Sequence, residues 1–227
     1  MKNNFGKIFK GDHSYQKESH SGYKQQLVKI LGVWNGNHEH DYGILRVFRL
    51  TLVSALLLFP GVLIDQLFKK SSTITRKLIV EIYVIFKTLF PVIVLVNHWF
   101  SHPWIYLLAI YFLIETYIYL FSKIFLADQH SKTSNMRTLM LLIINFLESS
   151  FTFAVIYLSG SYLNIKPDGV VDAVYYSFVT SATIGYGDIH PINFDGKLVV
   201  ITQILSSVSF IVLFFNFFSG KANQQIQ

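Results

Sequence analysis

No cysteine occurs among the 227 residues, which excludes disulfides, thiol catalysis and thiolate-ligated metal sites. Charge is scarce too. Asp, Glu, Lys and Arg make up only 14% of the chain, against 52% hydrophobic residues, and aromatic residues alone reach 16%. With a positive mean hydropathy, that balance points to a membrane protein rather than a water-soluble domain. The start, "MKNNFGKIFKGDHSYQKESH", has no apolar stretch of the kind a cleavable signal peptide needs. No internal repeat is evident, so the inverted halves of many secondary transporters are not expected. The formal net charge is +6, but the basic residues flank apolar runs instead of forming one patch with interleaved aromatics. No nucleic acid is therefore expected as a partner; the charge reads as a membrane flank.

What is present is a polar start followed by apolar segments. Residues 1–43 form a polar N-terminal segment, within which Tyr23 to Trp34 reads as an amphipathic helix on the membrane surface. Accessory membrane helices follow over 44–127: segment A at about 46–68, B at 78–99 and C at 104–126. Segments D (137–158) and E (197–218) lie farther on, and each approximates the ~20 apolar residues that cross ~30 Å of hydrocarbon. The A–B loop carries Lys69, Lys70, Arg76 and Lys77, and the C–D connection Lys132 with Lys123 and Arg137 at its edges, so both are expected on the cytoplasmic side. The B–C turn "NHWFSHP" has no Lys or Arg and faces outward, with Trp99, Trp104 and Tyr106 as an interfacial belt. Five full spans place the N-terminus outside, whereas its six lysines favour inside, which would make segment A interfacial or re-entrant around Pro60 and Gly61.

Three charges fall inside the spans. Lys87, Glu115 and Glu148 lie at depths of ~14–17 Å, counted at ~1.5 Å per residue from the inner ends of B, C and D. Unpaired charges there are costly, so Lys87 is expected to pair with Glu115, with Glu148 as the alternative partner.

Between D and E stands "TSATIGYGDIHP", residues 180–191. The preceding "DAVYYSFVTSAT" reads as a short helix starting near Asp172, a residue type favoured at N-caps, and too short to span. Backbone without helix or sheet pairing at membrane depth is tolerated only where it is buried in protein or lines a watery path. Gly185 and Gly187 reach positive φ at little steric cost, so carbonyls that would alternate in direction can all be turned to one axis. The product is a column of oxygens from Thr183, Ile184, Gly185 and Tyr186, with the Thr183 hydroxyl below. One chain supplies too few oxygens to replace a cation's hydration shell; four chains supply rings of four. The C-terminal end of the short helix adds partial negative charge at the centre.

"TIGYGD" resembles the selectivity filter of tetrameric potassium channels, with a prokaryotic member expected. The resemblance covers about 137–219, the family's outer helix, pore helix, filter and inner helix, in the family's order. It implies an all-α membrane protein: a potassium channel pore domain preceded by about three further membrane segments. The implied function is passive K⁺ conduction by a homotetramer, as a multi-pass protein of the cell membrane, with lipid and K⁺ as partners and no cofactor beyond the permeant ion. Thr183, Ile184, Gly185, Tyr186 and Gly187 match the filter and its potassium sites, Ile184 standing for the commoner valine. Asp188, Tyr175, Tyr176 and Thr180 match its support, the two tyrosines standing where many members have tryptophans. Ala182 stands where a threonine often precedes the filter, and Ser207 where an inner-helix glycine hinge is common. Ser207, Ile211 and Phe215 recur at i, i+4 and i+8 on segment E and are the gate candidates, with Phe215 near the inner mouth.

Other readings are weaker. A nucleotide-binding glycine loop would need a third glycine, a following helix and a phosphate lysine, and no catalytic constellation is found, so no enzyme is expected. "NHEHD", with His38, His40 and Asp41, reads as solvated rather than metal-binding, and His98, His102 and His190 as ordinary outer-surface histidines. Only Arg46 and Arg49 have voltage-sensor spacing, against the ~3–4 charges that steep gating requires. With the tail "GKANQQIQ", no cytoplasmic ligand-binding domain is expected after segment E. The alternatives are a weakly selective cation channel and a nonconducting regulatory channel subunit.

Overall fold

A computed structural model describes residues 23–35, 43–60, 67–68, 73–126, 135–164 and 169–224. Among them are seven α-helices: α1 (Tyr23–Asn35), α2 (Gly43–Ala55), α3 (Thr73–Val96), α4 (Pro103–Phe125), α5 (Asn135–Ser159), α6 (Val170–Ser181) and α7 (Phe194–Gln224). No strand occurs among the described residues; one isolated bridge joins Leu163 and Pro191. The protein is all-α, and four helices are long and apolar enough to cross a membrane: Leu78–Val96, Pro103–Ser122, Leu139–Ser159 and Phe194–Phe215. These are segments B to E. The metal-reading residues His38, His40 and Asp41 lie outside the described residues, as do Lys69, Lys70 and Lys132.

Segment A is not a fifth span among the described residues. Helix α2 stops at Ala55, a single 3-10 turn covers Leu56–Leu58, and Phe59 is extended at φ −108°, ψ 149°. The cause is Pro60, whose ring disfavours helical backbone in the residue before it.

The chain divides into two compact units, residues 1–83 and 84–227, with the boundary inside α3. In the first, α1 and α2 form an antiparallel hairpin. The Gln26 amide donates to Val53 O at 3.2 Å near one end, and Arg46 donates to the carbonyls of Val33 (3.3 Å) and Trp34 at the other. A guanidinium there satisfies carbonyls that the last turn of α1 leaves unpaired and offsets the negative end of its dipole. Leu27, Val28, Leu31 and Trp34 form an exposed apolar face of α1.

In the second unit α5 is the central helix, packed against α4, α6 and α7. Its spanning window is 56% buried against 22% for that of α7, so α7 presents most of its apolar surface outward. Small residues let α6 come close to α5: Ala154, Val155 and Ala173 are fully buried together. Phe153, Tyr157 and Tyr176 belong to a second core cluster, with Tyr157 and Tyr176 edge to face at 4.8 Å.

The three intramembrane charges meet. Lys87 of α3 lies 3.6 Å from Glu148 of α5 and 3.9 Å from Glu115 of α4, so the expected pairing includes both carboxylates. Thr116 sits between: the Lys87 ammonium donates to its hydroxyl at 2.6 Å, and that hydroxyl donates to Glu148 Oε2 at 2.8 Å. All four side chains are buried. Opposite charges in contact, joined through a hydroxyl, lower the cost of such burial, although one ammonium serves two carboxylates and Glu148 Oε1 has no hydrogen-bond partner among the described residues.

Candidate functional site

The site begins with the end of α6. Asp172 does not cap this helix: it lies in the first turn, while Gly169, fully extended, occupies the N-cap position. An acidic group in the first turn still favours the positive end of the helix. At the other end the Thr183 amide donates to Thr180 O (3.0 Å) and the Ile184 amide to Val179 O (3.0 Å). This pair of bonds is a Schellman ending, which places the residue after the C-cap in the left-handed region. That residue is Thr183, at φ 57°. Glycine is usual there; a β-branched side chain in this conformation is strained by ~1–2 kcal/mol.

Gly185 (φ 56°) and Gly187 (φ 84°) repeat the left-handed value, whereas Ile184 and Tyr186 do not. Alternating handedness turns successive peptide carbonyls to one side of the chain, where an ordinary strand would alternate them. Residues 182–188 are all exposed in the single chain, including Ile184 and Tyr186. A Cβ built on Gly185 or Gly187 would meet nothing within 4 Å. Within the single chain, glycine is thus favoured at both positions by backbone conformation rather than by space.

Beyond the glycines the chain is tied down. The Tyr175 hydroxyl donates to Asp188 Oδ2 at 3.1 Å, and its ring stacks parallel to Tyr186 with centroids 6.5 Å apart. Desolvation of this phenol, and then the Asp188 carboxylate, raise its pKa above the ordinary tyrosine value. Asn164 holds the same residue from the other side, donating to Asp188 O at 3.2 Å while its Oδ1 accepts from His190 N at 2.8 Å. Tyr176 instead turns inward into the core, and Thr180 is buried. Asn164 is a brace that the sequence reading missed; its only sequence signal is an asparagine in the polar turn facing the motif.

The third group of site residues lies on α7. Ser207 is buried with its hydroxyl on Gln203 O at 2.9 Å, while Ile211 and Phe215 are exposed, Phe215 at 72%. The i, i+4, i+8 stripe is therefore split between an inner and an outer face. Phe210 is the buried aromatic, packed edge to face on Tyr117 and Phe146. Among the described residues no group of three or more His, Cys, Asp or Glu could hold a metal ion. His98, His102 and His190 are exposed.

Residues 140–223, which take in most of α5 with α6, the glycine loop and α7, match the model of a family described as an ion channel. Over 110 residues the chain is 30% identical to the voltage-gated potassium channel Kch of Escherichia coli (strain K12). That alignment covers 48% of this chain and 25% of the relative, so it spans about a quarter of the curated protein's length. No solved structure matches the chain. By sequence, then, the part of the chain that holds the glycine loop is similar to ion channels, and one similar protein is a potassium channel.

Proposed function

We propose that the protein is a potassium-selective channel of the cell membrane, conducting K⁺ passively as a homotetramer. The observation that carries the reading is the left-handed alternation at Thr183, Gly185 and Gly187, started by the Schellman end of α6 and lying between two apolar helices. Such a backbone offers a ladder of carbonyl oxygens, and four copies around an axis give rings that replace a dehydrated cation's water. The C-terminal end of α6 adds partial negative charge beneath the ladder. Exposed Leu198, Ile201, Leu205, Val208 and Val212 on α7 supply apolar surface for lipid and for neighbouring subunits. The similarity to an ion-channel family and to a potassium channel supports the same assignment.

Purified protein in liposomes tests it. With K⁺ inside and Na⁺ outside, flux and a reversal potential set by K⁺ are expected. Equal permeation of both ions would reduce the reading to a weakly selective cation pore, and absence of flux would leave a nonconducting subunit.

The proposed gate lies on α7 at the exposed Phe215. A ring of Phe215 side chains, with Ile211 one turn above, would close a path by excluding water. Phe215→Ala is expected to raise open probability in single-channel records without altering ion preference. Phe214 packs against the Leu120, Leu142 and Phe210 cluster, so Phe214→Ala should lower thermal stability and leave open probability unchanged. Equal open probability for wild type and Phe215→Ala would remove this gate.

A further inference from the structure

Gln203 stands out on α7: a side-chain amide, 0% exposed, in the middle of an apolar span. Its Nε2 lies 2.8 Å from each of Ser177 O, Ser177 Oγ and Ser181 Oγ, and its Oε1 accepts from the Tyr157 hydroxyl at 2.5 Å. The Ser177 hydroxyl donates to Ser150 O at 2.6 Å, so toward Gln203 it can only accept. Ser150 Oγ lies 3.3 Å from Ser181 Oγ and closes the cluster. Five side chains from three helices are thus joined, and each is buried. The polarity is unambiguous: the amide nitrogen faces α6 and the amide oxygen faces α5.

The position of the grip matters more than its strength. Ser177 and Ser181 are one turn apart on α6, and Ser181 is the last residue of that helix, two before Thr183. Two points one turn apart fix both the rotation of a helix about its axis and its translation along it. The Schellman bonds then transmit that orientation to Thr183 and Ile184. We infer that Gln203 is a positioning residue for the filter, setting the rotation of α6 and hence the aim of the first carbonyls, without itself meeting an ion. The inference rests on the potassium-channel reading above.

The test compares full-length variants by reversal potential in mixed K⁺ and Na⁺. Gln203→Leu keeps the approximate volume and removes both donor and acceptor; it is expected to lower the K⁺ over Na⁺ permeability ratio at least tenfold. Tyr157→Phe removes only the donor to Oε1 and leaves the grip on α6, so its ratio should stay within about twofold of wild type. Should Gln203→Leu fail to fold, the triple variant Gln203→Leu, Ser177→Ala, Ser181→Ala takes its place, since replacing both sides of a buried polar contact with apolar groups is far less damaging than removing one. A lowered ratio in the folded triple variant supports the inference, because a purely structural role would recover with folding. A wild-type ratio in Gln203→Leu or in the triple variant overturns it, as does an equal loss in Tyr157→Phe. A wild type that conducts without K⁺ preference, or not at all, would instead refute the channel reading on which it rests.

Discussion

Gly185→Ala is expected to abolish the preference for K⁺ over Na⁺, with the reversal potential in mixed solutions moving to the value of a nonselective pore. The reason is conformational. Gly185 sits at φ 56° with open space within its own chain where a Cβ would go, so alanine meets no atom of its own chain and the cost there is the left-handed backbone. That cost is ~1–2 kcal/mol per chain for an L-residue, and about four times as much if four copies assemble as proposed. Thr183 bears a similar strain, but two backbone hydrogen bonds at the end of α6 clamp it. Gly185 lies beyond that clamp, and the strain is relieved there by turning φ negative. The adjoining carbonyl then swings off the axis. An unchanged reversal potential in Gly185→Ala would show that the oxygens of this loop do not choose the ion.

The second large effect concerns Lys87. Removing one member of a buried ion pair typically costs ~3–5 kcal/mol, a large share of the ~5–15 kcal/mol that holds a folded protein together. Lys87→Glu would place three carboxylates together, two of them Glu115 and Glu148 at under 9% side-chain exposure, and folded protein should be nearly absent in size-exclusion profiles. The double reversal Lys87→Glu with Glu148→Lys is expected to restore most of it. Thr116 makes this pair the better one to exchange. Its hydroxyl accepts from Lys87 and donates to Glu148, and the same hydroxyl serves the reversed chain of donors equally well. The Glu115 contact is longer, at 3.9 Å. Recovery with the Glu115 exchange and none with the Glu148 exchange would make Glu115 the principal partner.

The sequence carried the spans B to E because hydrophobicity over about 20 residues is a property of composition, which folding does not alter. Over segment A it left two readings open, a full span or a re-entrant stretch around Pro60 and Gly61; among the described residues the α-helix stops at Ala55 and Phe59 is extended before the proline. The glycines of the motif were legible because a positive φ narrows the choice of residue so strongly. Thr183 was not: nothing in a threonine announces a left-handed backbone, which here comes from hydrogen bonds back to Val179 and Thr180. Gln203 could have been singled out as an amide in the middle of an apolar run. Its partners could not, since they depend on how α6 and α7 are rotated against each other. The pairing of Lys87 was half legible, because depth follows from counting along a helix whereas the choice between two carboxylates depends on which helices are neighbours.

The buried charge cluster has a consequence for how the chain is made. A ribosome delivers Lys87 first, Thr116 follows 29 residues later and Glu148 a further 32 after that. At ~5–20 residues per second, the ammonium waits roughly 3–12 s for its nearer carboxylate. A lysine at mid-membrane costs ~2.5–3.5 kcal/mol to insert, which the Leu, Ile, Val and Phe residues of α3 offset at ~0.3–0.6 kcal/mol each. The helix can therefore enter the bilayer early, but it reaches its final place only once α5 has been synthesised. For protein engineering the same dependence runs backwards. Cutting the chain in the connection between α4 and α5, to keep the 137–219 region alone, would strand the fully buried Glu148 without its cation. The glycine loop is then portable between proteins only together with the helices that neutralise the back of its first span.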